Sequence, residues 1–222
     1  MRGDSVSTER RQQGFTLTEM GIVVGLVGVL TAIAVSALTA LFENQRLTNS
    51  AITVSNAVSQ ARGDAIRTGN VHLVFFRVDE TGTPLVDGSG NPVDVLIVDD
   101  GRLGTAGQNC SFDAGEDVVG FDLEDRVSFA VSDATSTVAT DSGSSTISNG
   151  SSLEDGATGA ASWLMFRAEG PAYGFKSDCN IGAVGSGGGG IYLTNGDRDV
   201  ALVITPLGTT RLHRWGDGGW TD

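Results

Sequence analysis

Residues 20–42 form a run of 23 residues without a single charge. At about 1.5 Å per residue, a helix of this length measures roughly 35 Å, which exceeds a hydrocarbon core of about 30 Å. We therefore expect a transmembrane helix. A secretory signal peptide is the alternative, because Ala32, Ala34 and Ser36 resemble a small-residue cleavage site, but its apolar region is usually shorter.

The residues before this run indicate its orientation. Residues 1–14 are polar and carry three arginines against two acids, a formal charge of +1. Basic flanking residues tend to stay in the cytoplasm. The N-terminus is therefore predicted to be cytoplasmic, with the rest of the chain on the other side of the membrane.

Glu19 lies at the very start of the apolar run. A carboxylate costs about 2.5–3.5 kcal/mol at the centre of a bilayer and much less at its surface. Two interpretations stay open at this point. Glu19 is either an interfacial residue in contact with water, or a charge that pairs with a positive group when helices pack together.

Composition narrows the classes of function. Hydrophobic residues make up 40% of the 222-residue chain and charged residues 18%, which excludes full disorder. There are 14 basic and 27 acidic residues, and a net charge of −13 argues against a nucleic-acid partner. Two cysteines and two histidines without ligand spacing predict no zinc module, and we expect no metal and no cofactor.

Residues 10–20, RRQQGFTLTEM, resemble the class III signal of type IV pilins and pseudopilins. In that pattern a short basic leader is followed by Gly, Phe, a Glu four residues later and a long apolar helix. The resemblance implies cleavage between Gly14 and Phe15 by a prepilin peptidase, and methylation of the new Phe15 amine. It also implies that Glu19 pairs with the N-terminal amine of a neighbouring subunit.

Helical periodicity continues past residue 42. Six apolar residues recur at alternating steps of four and three: Leu47, Ala51, Val54, Val58, Ala61 and Ala65. Three more, Ile52, Ala57 and Ile66, are predicted to widen this stripe. Gly69 marks a helix stop, so a helix over residues 15–68 would measure about 80 Å. Its second half should lie on a sheet.

Residues 60–69, QARGDAIRTG, resemble the helix end of H-type pseudopilins and FimT/FimU-type minor pilins, with Gly63 and Asp64 in place of Ser and Glu. Residues 166–170 and 202–212 resemble a turn and the closing hairpin of the same family. These matches cover residues 14–73 and 163–215. The chain has Ser36 where most major pilins have a helix-bending proline, which favours a minor subunit.

Strand patterns follow the helix, which predicts an α+β fold: a long helix packed on an antiparallel β-sheet. The seven predicted strands are residues 71–78, 93–98, 127–131, 162–167, 190–194, 200–204 and 211–215, the first two forming a hairpin. We expect a leader at 1–14, a membrane or filament-core helix at 15–42, its amphipathic continuation at 43–70 and a β-rich head at 71–222.

Two long loops interrupt the head, at residues 102–120 and 132–159. Each is either a partner-contact surface or a solvated insertion. Asp197 and Asp199 follow Asn195-Gly196 and are interpreted as turn residues.

Cys110 and Cys179 are the only two cysteines. A periplasmic head lies in an oxidising compartment, so we predict that they form a disulfide. Closing a loop of roughly 70 residues would stabilise the fold by about 4 kcal/mol on the chain-entropy model. The alternative is two separate thiols.

Six acids crowd one segment: Asp113, Glu116, Asp117, Asp122, Glu124 and Asp125. Calcium binding is one interpretation, but the ligand spacing of a known calcium loop is absent, which favours a solvated acidic loop. The glycines at 187–190 lack the Lys of a phosphate loop. No Gly-x-Ser-x-Gly surrounds a plausible nucleophile, so we expect no enzyme.

Arg211, His213 and Arg214 form a local basic patch beside Trp215. Cations next to an aromatic ring can hold a nucleic-acid strand, which makes Arg211 and Arg214 weak DNA-contact candidates. The Gly-Arg-x-Arg motif of some FimT-type minor pilins is absent. In the simpler interpretation this segment is a strand whose alternate residues, Arg211 and His213, face solvent.

The sequence therefore predicts a structural minor pilin or pseudopilin anchored once in the inner membrane, with its head in the periplasm. Its expected partners are the prepilin peptidase, other pilins through the N-terminal helix, and the assembly platform of the membrane. Both a type IV pilus and a type II secretion system fit the motifs. The alternative is a binding module at a filament tip, either an adhesin or a DNA receptor.

Overall fold

The computed structural model describes residues 16–105, 107–113, 115–154, 161–177, 179 and 181–221. The chain divides into two compact units, Met1–Phe42 and Glu43–Asp222. We call the second of these the globular unit.

A helix, α1, runs over Leu17–Thr68. Its end follows from Gly69, which has a φ of +75° and donates its N–H to the carbonyl of Ala65 at 2.9 Å. A left-handed residue in this position satisfies one of the last carbonyls of a helix, and glycine adopts that conformation without a Cβ penalty. The predicted helix stop is confirmed.

The predicted apolar stripe on the second half of α1 is confirmed in its six central members, each at most 2% exposed. Ala57 is also buried, but Ile52 and Ile66 are 47% and 50% exposed, so the wider stripe was wrong at both. At about 100° per residue, Ile52 lies roughly 140° and Ile66 roughly 100° around the helix from Leu47. These two side chains therefore fall outside the face that packs on the sheets.

Over the described residues, ten strands follow the helix: β1 Asn70–Phe76, β2 Val95–Arg102, β3 Val118–Phe121, β4 Ser128–Phe129, β5 Trp163–Phe166, β6 Ala172–Phe175, β7 Gly189–Thr194, β8 Asp199–Ile204, β9 Thr210–Gly216 and β10 Gly219–Thr221. All pairings are antiparallel. Sheet 1 has the order β3-β2-β1-β5-β6 and sheet 2 the order β10-β9-β8-β7-β4. The α+β class is confirmed, with the strands divided between two sheets.

The seven predicted strands correspond to β1, β2, β4, β5, β7, β8 and β9, and β1 pairs with β2 as the predicted hairpin requires. Three strands lie outside that prediction. Strand β3 falls at the end of the loop predicted over residues 102–120, β6 follows the turn after β5, and β10 closes the chain against β9.

One hydrophobic core joins the stripe of α1 to both sheets. Along β8, Val200, Leu202 and Ile204 belong to this core. Ala201 and Val203 point to the opposite face, where they pack with Val138 and Tyr192 in a second, smaller cluster. Strand alternation thus gives sheet 2 an inner face in the main core and an outer face covered by the loop after β4.

Candidate functional site

The segment Leu17–Val35 is apolar and unburied. Its mean hydropathy is 2.1 and none of its 19 residues is buried within the described chain. By length and composition it is able to cross a membrane, a test that signal sequences near an N-terminus and core helices of soluble proteins also pass. This full exposure distinguishes it from a core helix, since large apolar side chains are normally shielded from water.

Glu19 and Thr16 form a reciprocal cap at the start of α1. Glu19 Oε2 accepts hydrogen bonds from the backbone N–H and the hydroxyl of Thr16, each at 2.9 Å. In return the Thr16 hydroxyl accepts from the backbone N–H of Glu19 at 3.2 Å. This is the Thr-x-x-Glu capping box, which satisfies backbone donors that a helix start leaves unpaired.

The cap was missed in the sequence, although Thr16 and Glu19 have the spacing of a capping box. The sequence analysis considered only the charge of Glu19 beside an apolar run, and both of its interpretations concern that charge. The two processing candidates, Gly14 and Phe15, lie outside the described residues. Pairing of Glu19 with a neighbouring amine therefore stays a prediction.

The structure joins Cys110 and Cys179 by a disulfide, with their Cα atoms 5.4 Å apart. Beside it, the fully buried carboxylate of Asp100 accepts hydrogen bonds from the backbone N–H groups of Asn109 at 3.0 Å and Cys110 at 3.1 Å. Burial raises the pKa of Asp100 despite these bonds, and the nearby charges of Asp113 and Asp99 act in the same direction. The disulfide and Asp100 together fix the loop after β2.

Residues 60–69, 166–170 and 202–212, the segments of the globular unit that resemble H-type pseudopilins, meet at Arg62. Its Nε donates to the carbonyl of Gly170 at 2.9 Å. A Cβ on Gly208 would lie 3.0 Å from Arg62 Cδ and 2.9 Å from the ring of Phe166, so this turn approaches too closely for any other residue. Both glycines have positive φ. The contact is structural: it holds two turns against α1.

The basic patch on β9 is split between the two faces of sheet 2. Arg211 and Arg214 are both exposed, but three residues apart in a regular strand they point to opposite faces. His213 does not face solvent as predicted: it is 5% exposed, with Nε2 3.5 Å from Thr140 Oγ1. The loop after β4 covers it. The structure therefore does not bring Arg211 and Arg214 together.

The acidic segment makes local hydrogen bonds. Glu116 Oε2 accepts the N–H of Asp113 at 2.8 Å, and Asp113 Oδ2 accepts the amide of Asn109 at 2.6 Å. Among the described residues, no group of three His, Cys, Asp or Glu side chains is placed to hold a metal ion.

Two polar clusters attach the loop after β4 to sheet 2. Asp199, which is 1% exposed, accepts hydrogen bonds from the backbone N–H groups of Ser132, Asp133 and Ala134 at 2.7–3.1 Å. Burial opposes ionisation of Asp199, but these bonds and one from Thr194 prevail and lower its pKa. The second cluster centres on Asp141.

Asp141 Oδ2 accepts from the Tyr192 hydroxyl at 2.6 Å and, in a short bond, from the Ser152 hydroxyl. Burial, with the Asp141 charge, raises the pKa of Tyr192. Ser152 Oγ in turn accepts the backbone N–H of Gly190 in β7 at 2.7 Å. The described part of the loop, residues 132–154, is therefore bonded to the sheet at both ends. These contacts anchor the loop on sheet 2, while most of its described residues stay exposed or half-buried, so both interpretations of the loop, a partner-contact surface and a solvated insertion, stay open.

Comparisons of the chain with models of protein families, with curated proteins and with solved structures found no match. The fold itself defines the class: an α+β protein in which an N-terminal apolar helix is followed by two antiparallel sheets. That arrangement is compatible with a pilin-like fold.

Proposed function

We propose that the chain is a structural subunit of a type IV pilus or a type II secretion pseudopilus. In this proposal a prepilin peptidase cleaves it before Phe15, the new amine is methylated, and the helix enters a filament in a priming or tip position. The supporting observation is the segment Leu17–Val35, which is apolar and unburied in the single chain. Such a surface needs either lipid or other apolar helices around it.

In this proposal the segment Leu17–Val35 is surrounded first by lipid and later by helices of other subunits. In the inner membrane its side chains contact lipid, and in a filament they contact the corresponding helices of other subunits. Small residues at Gly21, Gly25 and Gly28 have open space around them in the single chain, which suits close approach of neighbouring helices. The globular unit then remains on the periplasmic side or at the filament surface.

Glu19 has a separate part in this proposal. Both of its bonds to Thr16 use Oε2. We assign Oε1 to the methylated amine of a neighbouring Phe15, because a carboxylate taken into an apolar filament centre needs a positive partner. The cap on Thr16 orients the carboxylate for that pairing.

Glu19→Ala and Glu19→Gln separate this pairing from the cap. Glutamine still completes a capping box but carries no charge. We expect both variants to be cleaved and methylated normally and to be missing from filaments, measured by immunoblotting of sheared filaments and membranes. Glu43→Ala, on the same helix beyond the apolar segment, is the matched control and should assemble. Normal incorporation of Glu19→Gln would contradict the charge pairing and leave only the cap.

A further inference from the structure

A recess of about 190 Å³ lies in the globular unit, between the C-terminal end of α1 and sheet 1. The antiparallel register places His72 of β1 directly opposite Asp99 of β2, and Ile97 opposite Val119 of β3. These four residues line the recess together with Asp64, Arg67, Thr68 and Asp117. Sheet pairing therefore fixes the positions of half of its lining.

Three aspartates and one arginine line this recess. Arg67 pairs with Asp64, with Nη2 3.0 Å from Oδ1, so these two charges balance each other. Asp99 accepts hydrogen bonds from Asn70 Nδ2 on both carboxylate oxygens at 3.0 Å, but forms no ion pair with a described arginine or lysine. Asp117 is exposed, and among the described residues its carboxylate bonds to no protein group. Two negative charges in the recess are thus left without a cation.

The surroundings of the recess are also negative. Glu116 precedes Asp117, and burial raises its pKa, with the charges of Asp100, Asp113 and Asp99 acting in the same direction. A cluster of like charges attracts a cation and repels an anion. The electrostatics of this part of the globular unit therefore favour a positively charged ligand.

His72 is an independent indication of a ligand. It is 4% exposed and lines the recess. Its Nδ1 is buried and has no hydrogen-bond partner in the described chain, and its Nε2 is 3.8 Å from Asp99 Oδ2, beyond hydrogen-bond distance. Buried polar groups in folded proteins nearly always have a partner. A hydrogen-bond donor that enters the recess would supply one to the imidazole.

We propose that this recess binds the guanidinium group of an arginine on a partner protein. A guanidinium is positive and carries five N–H donors and no acceptor, which is enough for Asp99, Asp117 and the imidazole of His72. Ile97 and Val119 offer apolar surface to the methylene stem. A cavity of about 150 Å³ accommodates benzene, and a guanidinium group is smaller than benzene.

Two other cations match the recess less well. The described residues include no group of three His, Cys, Asp or Glu side chains placed to hold a metal ion. A lysine ammonium is a point charge, whereas the planar fork of a guanidinium can bond to several acceptors at once. A protein is favoured over free arginine as the source, because the surrounding acids repel the α-carboxylate of the free amino acid.

The test is a titration of the full chain in detergent with N-acetyl-L-arginine amide, which is capped at both ends as an arginine in a protein is. NMR of the ring C–H groups of the two histidines is the readout. We expect a saturable shift of the His72 signal, while the signal of His213, on sheet 2, stays in place. His213→Gln assigns the two signals. N-acetyl-L-glutamine amide, which is polar but uncharged, should cause no shift.

Asp117→Asn should weaken binding of the capped arginine about tenfold, the loss expected for one charge-assisted hydrogen bond. Asp197→Asn removes an exposed acid outside the recess and should have no effect. Because the Asp117 carboxylate has no partner among the described residues, the first variant should fold like the unchanged chain.

The proposal is overturned if the His72 signal does not respond, or if His213 responds in the same way. It is also overturned if free arginine or capped lysine binds as tightly as capped arginine, or if Asp117→Asn binds like the unchanged chain. A His72 signal that responds to zinc chloride and not to capped arginine would overturn it as well. The test does not depend on filament assembly.

Discussion

Asp199 connects two segments that are far apart in the chain. Its carboxylate accepts three backbone N–H groups from residues 65–67 positions earlier. From the sequence it was interpreted as a turn residue, because Asn195-Gly196 precedes it. Turn chemistry is local and can be recognised in a short window, whereas the partners of a buried carboxylate depend on the tertiary fold. Asp141 was not predicted as a site residue for the same reason, because its partners Ser152 and Tyr192 lie 11 and 51 residues further along the chain.

Asp199→Asn should destabilise the globular unit at neutral pH by about 2–3 kcal/mol, the contribution of hydrogen bonds to a buried charge. Since folding lowers the pKa of Asp199, its ionised form stabilises the fold above the pKa of the unfolded chain. That contribution is lost as the pH falls through the lower, folded-state pKa. Denaturant unfolding of the full chain and of the variant between pH 7 and pH 2 measures this.

The difference in unfolding free energy between the two proteins should therefore shrink in acid. Asp197→Asn, at the exposed end of the same turn, is the matched control and should behave like the unchanged chain. A difference that is independent of pH would contradict the assignment to the Asp199 charge.

Elements were predicted best where a long periodic pattern exists. The six-residue stripe was predicted correctly because 3.6-residue periodicity extends over several helical turns. The end of α1 was predicted correctly because Gly69 is a strong local stop signal. Strands β3, β6 and β10 were missed: they have four, four and three residues, and each includes a glycine. Such short strands carry no alternation to detect. They form because an edge of an existing sheet is available to pair with.

The disulfide joins the connection after β2 to the connection after β6, through two cysteines that are 69 positions apart in the chain. We expect Cys110→Ala to lower the free energy of unfolding by about 4 kcal/mol, from loop closure in the unfolded chain. Cys179→Ala and the double variant should lose nearly the same amount, because either substitution already breaks the bond. Urea unfolding of the three variants measures this, with Ser111→Ala as control. Losses that simply add in the double variant would contradict a shared bond.

At the scale of the whole molecule, the two units differ in how their apolar side chains are shielded from water. The globular unit buries its apolar residues in a core between α1 and two sheets. The apolar segment Leu17–Val35 has no such core and exposes most of its large side chains, for example Leu30 and Ile33 at 65% and 66%. The composition and the apolar run could be read from the sequence. The division of the strands into two sheets, and the recess between α1 and sheet 1, depend on pairings between distant residues.

The central claim concerns processing and assembly, so the most direct measurement is mass spectrometry of sheared surface filaments beside the membrane fraction. The search is for a peptide that begins at N-methylated Phe15. We predict that this peptide is present, in filaments for a pilus subunit or in membranes for a secretion pseudopilin. A membrane protein that still begins near Met1 would contradict the account and leave a plain single-pass anchor in its place.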